Sequence, residues 1–152
     1  MTLNSNQFDI EAVQGQVDLQ AVGGNVLTCQ IDSAETATLV AGEAVSIVDN
    51  AGGVPKVEQL SADTVEPFGF ILRNLKDSSF VADNRVEIGR VNTVVFMTAG
   101  AAIARGANVE YDVSEIKVIT SAGINPICGF ALDKAAADGD LIRVWIKEPV
   151  TP

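Results

Sequence analysis

The sequence predicts an all-β protein, an antiparallel β-barrel or sandwich built from two similar β-units and carrying an extended N-terminal arm. Short runs of alternating apolar and polar residues recur along the chain, and glycines and other turn-forming residues separate them. No eleven-residue window sets apolar residues at helical spacing with a cap at either end. Short strands at this density close into barrels or pack as sandwiches.

Each run has its own justification. In Val26–Ile31, Leu27, Cys29 and Ile31 share one face, and Thr28 and Gln30 join Val26 on the other, as a half-buried strand requires. Val45–Val48, the glycine-containing stretch 49–53 and Val54–Leu60 read as a hairpin whose glycines supply positive φ, with Pro55 placing the return strand at a sheet edge. Phe68–Leu72, Val91–Met97, Val109–Asp112, Lys117–Thr120, Gly129–Leu132 and Leu141–Ile146 complete the set. In the last of these, Ile142, Val144 and Ile146 face one way and Leu141, Arg143 and Trp145 the other. The Ala-rich stretch Ala99–Gly106 is bounded by glycine and reads as loop or a single helical turn.

The 152 residues fit one domain at 26–152, large enough to bury a core without disulfides. Within it, Gly42-Glu-Ala-Val45, a hairpin, Phe68–Leu72 and Val91–Met97 are echoed by Gly106-Ala-Asn-Val109, a shorter hairpin, Cys128–Leu132 and Leu141–Ile146. The two copies span about 36–97 and 100–147. Residues 1–25 stand apart, and read either as an arm that packs on a neighbouring subunit or as a frayed terminus. Phe8, Ile10 and Val13 are the candidate arm anchors.

A net charge of −10 argues against nucleic acid and against anionic membranes as partners. Residues 1–72 hold ten acids and one base, Lys56, whereas beyond them ten acids meet nine bases. The bland reading is a solvated acidic surface. The sharper one is a two-sided molecule whose more basic segment, with Arg73, Lys76, Arg85, Arg90 and Arg105, docks on an acidic partner. Arg85, Arg90 and Arg105 are the candidate docking bases.

The polar start of the chain lacks the basic and apolar regions of a secretory leader, and no apolar run is long enough to span a bilayer. Cys29 and Cys128 sit in apolar stretches and read as buried thiols made in a reducing compartment, with a bridge between them as the other reading.

Histidine is absent, which removes Ser-His-Asp and Cys-His machinery and every His-bearing zinc site. The nucleophile elbow, the phosphate loop and the dinucleotide fingerprint are missing too. The expectation is therefore no enzyme, no catalytic residue, no cofactor and no metal. Asp138-Gly139-Asp140, with Asp133 nearby, could offer oxygens to Ca²⁺ but reads first as an exposed turn with Gly139 at positive φ. Glu110, Asp112 and Glu115, around Tyr111, read as exposed strand and hairpin positions, and Trp145 and Phe68 as core.

The order Gly42-Glu-Ala-Val45, Pro67–Leu72, Gly106-Ala-Asn-Val109, Ile127–Leu132 and Ala135–Val144 resembles the bacteriophage capsid decoration, or cement, proteins. The resemblance covers roughly residues 36–147, and its closing Ala-rich, Gly-Asp and hydrophobic-strand segment is the most specific part; residues 1–35 have no counterpart in it. It implies a homotrimer, made in the host cytoplasm, that binds the outer capsid surface of the virion at three-fold or quasi-three-fold positions. There it would stabilise a mature head by clamping neighbouring subunits of the major capsid protein. The rival from another class is a carbohydrate- or cell-surface-binding β-module of a phage tail or fibre, against which scarce aromatics count. The enzyme alternative is a hydrolase working with carboxylates alone.

Overall fold

The computed structural model describes residues 13–17, 24–48, 52–74 and 76–150, and none of these is helical. Twelve strands form: β1 (Val26–Ile31), β2 (Leu39–Val40), β3 (Ala44–Val48), β4 (Lys56–Gln59), β5 (Gly69–Ile71), β6 (Ser79–Phe80), β7 (Arg85–Gly89), β8 (Val94–Thr98), β9 (Asn108–Asp112), β10 (Lys117–Thr120), β11 (Ile127–Ala131) and β12 (Leu141–Val150). The first half closes into a barrel of order β1-β4-β3-β5-β7, the second forms a five-stranded sheet of order β10-β9-β11-β12-β8, and β2 and β6 make a short ribbon.

The expected antiparallel barrel is antiparallel at every contact but one. β1 runs parallel to β4, with Gln30 opposite Lys56 and Ile31 opposite Val57. The reason is arithmetic: strands that alternate in direction around a ring must be even in number, so a five-stranded barrel contains at least one parallel pair. Closure also corrects the placing of β4 at an edge, since it pairs with β3 on one side and β1 on the other. Pro55 lies just before β4 and contributes only its carbonyl, which accepts from Gln30 N–H at 2.9 Å. The β3–β4 hairpin otherwise forms as expected, with Val48 opposite Lys56 and Gly52 and Gly53 at φ of 114° and 90°.

Two apolar clusters sit back to back. Cys29, Ile31, Leu39, Val45, Val57, Ile71 and Ile88 fill the barrel. Outside it, Ala44, Leu60, Phe70 and Leu72 pack with Val95, Met97, Val109, Tyr111, Ile142, Val144 and Ile146 of the second sheet. β5 supplies both clusters, Ile71 to the inner and Phe70 to the outer, where Leu72 just beyond the strand joins it. That is why Phe68–Leu72 is an unbroken apolar run, as expected for a strand buried on both faces. Cys29 and Cys128 are free thiols, one in each cluster.

The ladders of the two halves follow one order. Gly42 N–H to Ile71 O (2.7 Å), Ile71 N–H to Glu43 O (2.9 Å) and Leu72 N–H to Glu87 O (2.8 Å) reappear in the second sheet. There the bonds are Gly106 N–H to Ala131 O (2.7 Å), Ala131 N–H to Ala107 O (2.9 Å) and Leu132 N–H to Arg143 O (2.8 Å). Asp32 N–H to Val57 O and Gly100 N–H to Val118 O, both 2.8 Å, recur likewise beside the parallel contacts Ile31–Val57 and Ala99–Val118. In this order β7 stands where β12 stands. Val91–Met97, read from the sequence as the counterpart of Leu141–Ile146, instead lies beside it: β8 pairs with β12, Val95 opposite Val144. β7 leaves little trace in the sequence, since Val86 and Ile88, set among Arg85, Glu87 and Arg90, are a minimal apolar signal.

The described part of the expected arm lies on its own sheet. Val17 bridges Val95, Phe96 N–H donates to Gln16 O at 2.8 Å, and Gly15 N–H donates to Phe96 O at 2.7 Å. Gln14 takes a hydrogen bond from the Thr98 hydroxyl and donates to Ile116 O at 3.3 Å, while Arg73 N–H donates to Gly15 O at 2.9 Å. Residues 13–17 therefore tie the free edge of β8 to both halves.

Candidate functional site

Every base expected to dock has a definite place, and the three do not form one patch. Arg85 opens β7, exposed, opposite Gln30. Arg90 follows the other end of the same strand, roughly 16 Å away at the usual rise of an extended chain. Its Nε donates to Phe68 O at 3.1 Å, and its guanidinium stacks 4.3 Å from the centre of the Phe68 ring. Arg105 is exposed in the turn before β9, near enough to Asp133 to help hold that carboxyl down. Val13 is half-buried, its N–H donating to Gln16 Oε1 at 3.2 Å. Phe8 and Ile10 lie outside the described residues.

Two concavities accompany the arginines. A groove of about 360 Å³ runs past Ile47, Pro67, Phe68, Arg90, Glu148 and Pro149. Ile47 is exposed there, so an apolar wall and a stacked guanidinium share one rim, a combination frequent at protein interfaces. The second is a cleft of about 250 Å³ with Leu72, Phe80 and Val86 along its floor and Arg73, Arg85 and Glu87 around it. Arg73 closely follows β5 and Arg85 starts β7, and the antiparallel pairing of those strands, Ile71 opposite Ile88, brings the two arginines together. The pairing is invisible in the linear sequence, where Arg73 reads only as one base of the more basic segment.

Two further expectations change, those for Glu110 and Trp145. Glu110 is buried, 1% exposed, because the turn after β10 wraps it. Its Oε1 accepts from the Ser121 hydroxyl at 2.7 Å, from Ala122 N–H at 2.8 Å and from Gly123 N–H at 3.1 Å. Tyr111 is buried as well, set edge-on against Phe70. Trp145, expected in the core, is 37% exposed, for it lies on the outer face of β12. There it stacks on Phe130 at 5.6 Å, its Nε1–H donates to Asn92 Oδ1 at 3.3 Å, and Lys147 sits 4.6 Å above Phe130.

The acids of the Asp138-Gly139-Asp140 turn have tasks within the protein. Asp138 pairs with Lys117 at 2.9 Å, Asp140 Oδ2 accepts from Ala136 and Ala137 N–H, and Gly139 has the expected positive φ of 90°. Among the described residues no three metal-binding side chains converge.

Carboxylates elsewhere anchor loops to strands. The Arg143 fork holds Asp133 below the usual carboxylate range, Nε donating at 2.8 Å and Nη2 at 2.7 Å. Hydrogen bonds from Lys56 and from the Ser114 hydroxyl do the same for Asp32 and Asp112. With folded pKa values below those of the unfolded chain, their contribution to stability is whole above the unfolded values of about 4 and disappears as pH falls through the folded ones. Urea titrations at stepped pH should find constant stability from neutrality to about pH 4 and a steady decline below it. Stability that rose on acidification would contradict these assignments.

A family model described as phage cement protein matches residues 24–146, from just before β1 to Ile146 in β12. The chain belongs to the phage cement protein family. Membership associates it with the phage capsid and makes it a structural component of the virion. The match takes in both halves and their shared core, and with them both concavities up to Ile146. Among solved structures the cement-family chain is similar to the N base of the head fiber gp8.5 of bacteriophage phi29. The two share 12% identity at a TM-score of 0.55, over 84% of this chain and 97% of the other, a likeness of fold. No relative among curated proteins matches it.

Proposed function

We propose that this cement protein sits on the outer surface of an assembled phage head and clamps neighbouring subunits of the major capsid protein, as a homotrimer. It works without catalysis, metal or cofactor. The observation that carries this reading is the family match, which spans nearly all of the described β-structure rather than one motif. The physics supports it. A protein that binds only the assembled lattice stabilises that lattice by mass action, by about 2.7 kcal/mol per site at a hundredfold excess over Kd. Joining weak contacts in one trimer raises their combined strength without any new contact.

In this proposal the chain is two copies of one β-unit sharing a core. The recurring ladder bonds support it, with β1 to β7 answering to β8 to β12. The unit boundary then falls between β7 and β8, so that both halves begin with a strand laid beside their own last one. A rigid body of two fused units, with short connections, is suited to bridging two capsid subunits.

One observation favours the rival reading, a carbohydrate- or cell-surface-binding module: the exposed Trp145 stacked on Phe130. A glycan array separates the two, since a cement protein needs no sugar affinity.

The experiment that tests the proposal adds purified protein to heads of its own phage prepared without it, follows cosedimentation, and then heats the decorated and bare heads together. The expected outcome is saturable binding and a raised disruption temperature.

A further inference from the structure

We propose that the cleft between Arg73 and Arg85 receives an aspartate or glutamate side chain presented by the capsid partner. The inference rests on the cement reading and adds the chemistry of one contact.

The cleft's charge is the first observation. In a chain of net charge −10, neither Arg73 nor Arg85 forms an ion pair with any described residue, although other bases are paired: Lys56 with Asp32, Lys117 with Asp138, Arg143 with Asp133. Both arginines are exposed, and with Glu87 as the acid on the wall the cleft keeps an excess of positive charge. A guanidinium offers a planar fork of donors that matches a carboxylate, and two forks at one opening select an acid over a neutral side chain.

The second observation comes from the other half of the molecule. The bond from Leu72 N–H to Glu87 O has its counterpart in Leu132 N–H to Arg143 O, so Asp133 stands where Arg73 stands and Arg143 where Glu87 stands. In the second sheet that place is filled from within. Asp133 accepts two bonds from the Arg143 side chain and a third from its backbone N–H at 3.0 Å. In the first half the charges are exchanged, and a cleft stays open over Leu72, Phe80 and Val86. The pair that closes this place in the second half is not made here, since no ion pair joins Arg73 to Glu87, and the Arg73 guanidinium is left for a carboxylate from outside.

The floor adds selectivity. Leu72, Phe80 and Val86 offer apolar contact to the stem of an entering side chain, and about 250 Å³ has room for one such side chain and the backbone bearing it. Arginine beside apolar surface is the composition of an interface anchor.

The test uses the full chain and heads of its own phage prepared without it. The double variant Arg73→Glu, Arg85→Glu should bind heads roughly tenfold or more weakly, with a flatter salt dependence and an unchanged unfolding midpoint. Lys134→Glu, an exposed charge reversal outside both the cleft lining and the more basic segment, should bind as the unaltered protein does. Equal binding by the double variant and the unaltered protein would overturn the proposal while leaving the cement reading intact. If the unaltered protein itself does not bind heads, the cement reading falls and a second measurement decides on the cleft. Acetyl-Leu-Asp-amide should shift the Arg73 and Arg85 Nε–H signals in nitrogen-15 spectra and acetyl-Leu-Asn-amide should not; identical spectra with the two peptides would overturn it.

Discussion

Phe70→Ala should cost about 3–5 kcal/mol of folding stability, the usual cost of truncating a buried aromatic side chain. Phe70 is 1% exposed and sits where the two halves meet, edge-on to Tyr111 with ring centres 5.5 Å apart. Its neighbours in the cluster come from both sides: Ala44, Leu60 and Leu72 from the first half, Val109 and Tyr111 from the second. The strand bearing it is held by β3 on one side and β7 on the other, with Phe70 opposite Ala44 and Gly89, so the backbone has little freedom to collapse into the space left behind. For a domain of this size the thermal midpoint should fall by roughly 10 °C. Because one cluster joins both halves, the loss should appear as a single shifted transition. A urea titration checks both points, and Ile47→Ala, at an exposed position, is the control expected to change stability by about 0.5 kcal/mol or less.

Gly129→Ala should destabilise by about 1–3 kcal/mol or more, as overfilling a close-packed site does. A β-carbon there would lie 2.4 Å from Trp145 O and 2.9 Å from Val144 Cγ1. The pairing of β11 with β12 is already irregular between Ile127 and Gly129, so strand β11 bends here and its backbone comes close to β12. Gly69 occupies the corresponding place in the first half, where a β-carbon would meet Ile88 Cγ2 at 2.4 Å and Gly89 O at 2.8 Å. The two substitutions should differ in a definite direction. The backbone carbonyl in the way, which can yield only by moving the strand, stands 2.8 Å from the added carbon at Gly69 and 2.4 Å from it at Gly129. Gly129→Ala should therefore be the more damaging, and denaturation midpoints of the paired variants decide the order.

How far the fold could be read depended on how far each strand's surroundings are local. β1 and β12 alternate over six residues or more with one face in a core, and both are plain in the sequence. The Phe68–Leu72 run was legible as a strand, but its double burial shows only once β5 is seen between two clusters. β7 has two apolar residues among charges, and β2 and β6 are two residues each, too short to leave a period. The parallel closure of β1 on β4 depends on strand count, which no local pattern carries.

The candidate site divides similarly. Arg85 and Arg90 could be picked out as bases in the less acidic part of the chain, but that Arg73 joins the first and Phe68 the second follows from sheet order. Glu110 looked exposed because it is an acid beside other acids, and it is buried because a turn more than ten residues away brings three donors to it. Trp145 looked buried because it is large and apolar, and its register on β12 directs it outward.

The most direct measurement is the heat-disruption midpoint of heads made without the protein, taken as purified protein is added back. A midpoint that climbs with occupancy and levels off when the sites are full is what a molecule fastening capsid subunits together must produce. Heads that bind the protein to saturation and still come apart at the bare-head temperature would show that it ornaments the shell without holding it.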